Sequence, residues 1–245
     1  MSGHSKWHSI KHKKGAADAK RGKIFTKMAA EIAIAAQGGA DPAMNFKLRL
    51  AIQKAKAANV PANNIERAIA KGSGQGGEAK LEELLYEGYG PGGVAIMVKA
   101  LSDNRNRTGP EVKSTFSKHG GSLGGQGSVA YLFEQKGVIM CRAGLDKDEL
   151  SLKAIESGAD DIDDSGDQLV VYTQPNSLES VRDALGEEAV ESAEIKQEPS
   201  QTVVVDDPGK AKTLLNLMEA LDDLDDVVDV TSNFDIPEEV LNSLQ

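Results

Sequence analysis

His4, His8 and His12 recur every four residues within HSKWHSIKHKK, residues 4–14. The same stretch holds Lys6, Lys11, Lys13, Lys14 and the chain's only tryptophan, Trp7, and has no acidic residue. On a helix the three histidines would share one face and could ligate a metal. No carboxylate or cysteine stands beside them, however, and the surrounding ammonium groups repel a divalent ion, so no metal is expected. These residue types suit phosphate contact better. Lysines supply the sequence-independent attraction of nucleic-acid binding. Imidazoles protonate more readily beside a phosphate and add hydrogen bonds. An indole can stack on an unpaired base, worth roughly 1–3 kcal/mol. The basic run continues through Lys20, Arg21, Lys23 and Lys27 against a single Asp18. The competing reading is a solvated tail whose Trp7 packs on the helices that follow.

A second candidate phosphate contact lies in SDNRNRT, residues 102–108, a polar loop before a helix. Arg105 and Arg107 there could clamp a phosphate at the helix N-terminus or pair with nearby acids. Other motifs read as structural. Gly88 to Gly93 matches G-x-G-x-x-G, but a dinucleotide site needs a helix next, and VAIMV follows, so a turn between strands is expected. HGGSLGGQG, residues 119–127, has Gln126 where a P-loop needs lysine. Asp161 to Gly166 resembles half an EF-hand loop, with Tyr172 where the bidentate glutamate belongs. The acidic run LDDLDDVVD, residues 221–229, reads as a solvated helix end, or else as a surface for a basic partner. Cys141 is the sole cysteine and is expected to be a buried thiol in a strand. No nucleophile, base and acid come together in sequence. The chain is therefore expected to be no enzyme and to use no cofactor, with a hydrolase assembled only in space as the remote alternative.

The 245 residues carry 28 Lys+Arg and 38 Asp+Glu, a formal net charge of −10, but the charge is unevenly placed. Residues 1–80 hold 15 Lys+Arg and 5 Asp+Glu; residues 81–245 hold 13 and 33. Such asymmetry points to a polyanion partner for the basic part and to repulsion that restricts how it approaches. No apolar run is long enough to span a membrane, the N-terminal residues have no apolar h-region, so they are not expected to be a secretory signal, and a cytoplasmic location is expected.

Three helices are expected first: from about Ala16 to Gln37 on the spacing of Ile24, Met28, Ile32 and Ala35; from the Asp41-Pro42 cap to about Ala58, with Phe46, Leu50 and Ile52 as core; and over residues 62–71, with Ile65 and Ile69 inward. GSGQGGE, residues 72–78, reads as a linker. Beyond it come a strand at 94–101, a helix from the T-x-x-E capping box at Thr108 to about Lys118 and a strand at 128–133. Residues 137–196 read β-α-β-β-α-β, the split ferredoxin-like unit. TVVV at 202–205, a helix at about 208–222 and a strand at 227–234 complete the chain. The expected class is α+β: an N-terminal three-helix domain, residues 1–79, and two ferredoxin-like α+β domains, one (134–200) inserted into the other (80–133 plus 201–245).

GHSKW (3–7), DAKRGKIFTK (18–27), YEGYGPGG (86–93), SDNRNRT (102–108) and GSVAYLF (127–133) resemble the YebC/PmpR family along essentially the whole chain. That family includes bacterial transcriptional regulators and the mitochondrial translational activator of cytochrome oxidase subunit one. The resemblance implies the same three-domain plan, no catalysis, and either promoter DNA binding or ribosome association that eases stalling at proline-rich stretches. The third helix, with only Arg67 and Lys71 for a groove, gives no helix-turn-helix, and a basic arm with one stacking aromatic suits structured ribosomal RNA at least as well as duplex DNA. The expected partner is thus a nucleic acid, promoter DNA or the ribosomal RNA of a ribosome, met by a monomer or weak dimer. The alternative is an adaptor that receives a basic protein in an acidic cleft between the α+β domains.

Overall fold

The computed structural model describes residues 18–75 and 80–244, with side chains in the first helix described from residue 22 onward. The chain divides into two compact units, Phe133–Glu198 and the remainder on either side of it in sequence.

The larger unit begins with α1 (Asp18–Ala36), α2 (Phe46–Ala57) and α3 (Ala62–Gly72). Ile32, Ala36, Leu48, Ala55, Val60, Ile65 and Ala68 form their shared core, while Ile24 stays 38% exposed. In α2 the buried positions are thus Leu48 and Ala55, not the expected Phe46 and Leu50. Ile52, also expected as core, is half-buried against the buried residues, and the helix starts later than expected. Asn45, rather than Asp41, starts the helix, its side chain accepting from the Leu48 amide at 3.1 Å and donating to the Ala35 and Gly39 carbonyls at 2.8 Å. One residue thereby closes two orphan helix ends. Asp41 instead caps the turn before it through the Ala43 amide, at 2.9 Å. α3 closes onto α1 through small residues. A Cβ on Gly72 would stand 2.1 Å from the Ala33 carbonyl oxygen, so only glycine fits there.

The sheet of this unit has the order β3-β1-β2-β9, formed by β1 (Glu82–Tyr89), β2 (Ala95–Ser102), β3 (Ser122–Leu123) and β9 (Val227–Ser232). β1 and β2 pair antiparallel over eight residues, joined by the Gly90–Gly93 turn. Gly92 and Gly93 take φ of 81° and 76°, which glycine alone adopts freely. The G-x-G-x-x-G match is therefore a strand turn. Against the sheet lie α4 (Arg105–Lys118) and α7 (Pro208–Asp222), which bury Val112, Phe116, Leu214, Leu217, Met218 and Leu221 with Ile96, Val98 and Val230. A short parallel pair, β8 (Val203–Val204) with β10 (Phe234–Asp235), and α8 (Glu238–Ser243) complete the unit.

Two boundaries differ from expectation. α4 starts at Arg105, because the Asn104 side chain accepts from the Arg107 amide at 3.2 Å; the T-x-x-E box from Thr108 falls inside the helix. Of residues 128–133 only Phe133, the first residue of the strand that follows, is in a strand. Ala130–Leu132 is a 3-10 turn, and the amides of Val129 and Ala130 donate to a side chain described below.

In the smaller unit, β4 (Phe133–Cys141), α5 (Lys147–Glu156), β5 (Asp161–Asp163), β6 (Val170–Thr173), α6 (Leu178–Leu185) and β7 (Val190–Pro199) follow the expected alternation. The strand order β5-β6-β4-β7 is that of the ferredoxin-like split unit. Cys141 is fully buried at the end of β4, and burial pushes its thiol above the ordinary range. The half EF-hand is a turn: Asp163 accepts from the Ser165 amide at 3.0 Å, and the Lys147 ammonium donates to the Asp164 and Gly166 carbonyls. This unit holds six Lys+Arg against 17 Asp+Glu.

Candidate nucleic-acid interface

His4, Lys6, Trp7, His8, Lys11, His12, Lys13 and Lys14 lie outside the described residues, and Lys20 and Arg21 sit on the first turns of α1 with side chains outside the description. The described part of the basic segment is therefore the remainder of α1, with Lys23 and Lys27 one helical turn apart. Spacing of four puts both on one face, and that face meets the C-terminal end of α7. The Lys23 ammonium donates to the Asp223 carbonyl at 2.9 Å and stands 3.5 Å from the Asp225 carboxylate. The Lys27 ammonium donates to the Asp222 carbonyl and stands 3.9 Å from its carboxylate. The last carbonyls of a helix carry partial negative charge, and Asp222, Asp223, Asp225 and Asp226 add full charges to the same end. The acidic run 221–229 is thus no plainly solvated helix end; part of it faces lysines of its own chain.

Arg105 and Arg107, the other two candidates, have different settings. The Arg105 side chain is 71% exposed and pairs only loosely with Glu82, at 3.6 Å. Arg107 grips Asp226 through two nitrogens: its NH2 group lies 2.9 Å from each carboxylate oxygen, and its Nε 3.3 Å from one. The same carboxylate accepts from Thr108 Oγ1 at 2.6 Å and Ser102 Oγ at 3.0 Å. Burial alone would raise the Asp226 pKa, but the Thr108, Arg107 and Ser102 donors outweigh it and hold the carboxyl below its usual range. Asp226 thereby ties the β2–α4 corner to the loop before β9. The structure brings Lys23 and Lys27 together, and it gives Arg107 a carboxylate partner.

Sequence reading did not single out two sets of residues. The first is the exposed cations Lys47 and Lys56 on α2, which join Arg67 and Lys71 on α3, weighed above only as groove contacts; the +10 balance of residues 1–80 is their signal, but their faces become defined only once the helix cores are. The second is Glu87 on β1, 4% exposed. Its carboxylate accepts three backbone N–H bonds, from Gly127 at 2.7 Å and from Val129 and Ala130 at 2.8 Å. These bonds hold the glycine-rich loop and turn residues 130–132 away from strand pairing. Burial raises this pKa and the three N–H donors lower it, with a net shift below the ordinary carboxyl value.

A family model described as the second and third domain of TACO1/YebC matches residues 81–234, and one described as the TACO1/YebC N-terminal domain matches residues 5–75. The chain belongs to the TACO1/YebC family. Among TACO1/YebC relatives, a "Probable transcriptional regulatory protein" of Halothermothrix orenii is 49% identical over 100% of this chain and 99% of its own. A protein of the same name from Trichlorobacter lovleyi is 53% identical over 96% of both. The crystal structure of a conserved hypothetical protein from Aquifex aeolicus superimposes with a TM-score of 0.84 at 48% identity, covering 91% of this chain and 94% of that one. The glycine motifs 88–93 and 119–127 fall within the matched TACO1/YebC region and have structural roles here. Among the described residues no helix is long and apolar enough to cross a membrane, and no group of three or more His, Cys, Asp or Glu is placed to hold a metal.

Proposed function

We propose that this chain is a non-catalytic regulator of gene expression that binds nucleic acid through the basic segment from His4 to Lys27. One observation carries the reading. Of 28 Lys+Arg, 15 lie in the first 80 residues, and on the helical bundle Lys47, Lys56, Arg67 and Lys71 all stand exposed. The name shared by the full-length relatives, probable transcriptional regulatory protein, supports a regulatory role. In this reading the arm lysines, with Lys20 and Arg21, make the phosphate contacts, and Trp7 stacks on a base. Arg105 reaches the same backbone from the α+β body. Arg107 fixes the corner that presents it. The acidic remainder of the chain repels the polyanion and so restricts its approach to the basic end.

Fluorescence anisotropy of a labelled promoter duplex across a salt series tests this. With roughly five to eight phosphate contacts, log K should fall with log salt at a slope of about −4.5 to −7. A structured ribosomal RNA fragment, run in parallel, distinguishes the translational variant of the reading by binding more tightly than the duplex at equal salt. A flat salt response for both, or no binding to either, contradicts the proposal.

A further inference from the structure

The contact between α1 and the end of α7 is electrically unusual. Asp222, Asp223, Asp225 and Asp226 crowd the helix terminus where negative charge is least favoured; Arg107 neutralises Asp226, and the cations that meet Asp222, Asp223 and Asp225 are Lys23 and Lys27, from the segment assigned above to phosphate. The two pairs are graded. The Lys27 and Asp222 side chains are only 13% and 18% exposed, whereas Lys23 and Asp225 are 48% and 81% exposed. Screening by water leaves the outer pair weak and the inner one stronger. The ammonium groups donate to the Asp223 and Asp222 carbonyls, with the Asp225 and Asp222 carboxylates at 3.5 and 3.9 Å as the nearest full charges; a phosphate diester offers an ammonium group both the acceptor and the charge. Either the helix end or a phosphate can take the lysine, but not both at full strength.

We propose that the acidic end of α7, Asp222 to Asp225, is a built-in competitor that holds Lys23 and Lys27 back from nucleic acid. This rests on the binding role proposed above and adds its regulation. The arm engages first; Lys23, in the exposed pair, exchanges Asp225 for phosphate next; Lys27 follows only if α1 lifts from Asp222. The competitor sets a threshold. A polyanion dense enough in phosphate to displace both carboxylates gains two further contacts, and a sparse one does not. Because the aspartates are remote in sequence and belong to the α+β body, binding is coupled to the docking of α1 on that body.

The test is duplex binding across the same salt series with the Asp222→Asn/Asp225→Asn variant. The lysine hydrogen bonds to the Asp223 and Asp222 carbonyls are kept in the variant, and less negative charge at a helix C-terminus favours the fold, so the variant should remain assembled, which an unchanged melting temperature checks. Its affinity should rise on the order of three- to tenfold, and its salt slope should steepen by about 1.8, the value for two added contacts. Adding Lys23→Gln and Lys27→Gln to that variant should erase both gains. Wild-type affinity and slope in the aspartate variant would overturn the competitor while leaving the binding role intact. A gain that survives the lysine substitutions would also overturn it, since only net charge would then be at work. If neither wild type nor variant binds, the nucleic-acid role itself fails, and this inference with it.

Discussion

Reversing charge at Lys6, Lys11, Lys13 and Lys14 to glutamate is expected to lower duplex affinity by at least on the order of a hundredfold at moderate salt. The magnitude follows from counterion release. Each lost phosphate contact removes about 0.9 from the salt slope, so four remove about 3.6, and four new carboxylates add repulsion. The four positions have neither the apolar periodicity of a core segment nor a nearby acid, so the thermal melting temperature should stay close to wild type. Trp7→Ala in the same assay should weaken single-stranded targets by roughly 1–3 kcal/mol with little change in slope, because stacking releases no counterions. Unchanged affinity in the four-fold variant would place binding elsewhere on the protein.

The largest stability effect is expected at Glu87. Glu87→Ala strands three backbone donors, those of Gly127, Val129 and Ala130, in a nearly closed site. With partial rescue by water, a loss of roughly 3 kcal/mol is expected, equivalent to a melting temperature lowered by about 6–12 °C for a chain of this size. The loop 124–130 should also lose amide-exchange protection. The acid dependence has a definite sign. The folded Glu87 pKa lies below the unfolded value, near 4.3, so its stabilisation is full above that value and is lost as pH falls through the folded pKa. Acid unfolding of Glu87→Ala should lack this contribution, and chemical denaturation at pH 7 and near pH 3 measures it. Equal stability of wild type and variant at pH 7 would show that the three donors find other partners at no cost.

What was legible in sequence was what short-range physics decides. The β-α-β-β-α-β run from β4 to β7 is readable because apolar alternation and capping residues are local, and Asp146 caps α5 through the Asp148 and Glu149 amides just ahead of it. The glycine motifs were separable from nucleotide sites because the element that follows each is visible in composition. Long-range partners were not legible. SVAYLF has strand-like residues, but Glu87, 42 and 43 residues earlier, takes the N–H groups of its Val129 and Ala130. The Thr108 box looks complete in isolation; Thr108 Oγ1 is instead drawn to Asp226, 118 residues away. The acidic run 221–229 looked solvated because the lysines that meet it lie 195 and 200 residues upstream. The charge split along the chain was plain, whereas its local neutralisation at the α1–α7 contact needed the fold.

The basic segment is expected to touch nucleic acid when the protein works. Ultraviolet crosslinking in cells, followed by sequencing of the attached nucleic acid and mapping of the crosslinked peptide, tests it most directly. Adducts should be concentrated in residues 4–27, Trp7 foremost, and abolished by the four-fold arm substitution; promoter fragments would assign the protein to transcription, and ribosomal RNA to translation. Adducts confined to residues 133–198, or none above background while protein crosslinks to that acidic unit abound, would contradict it.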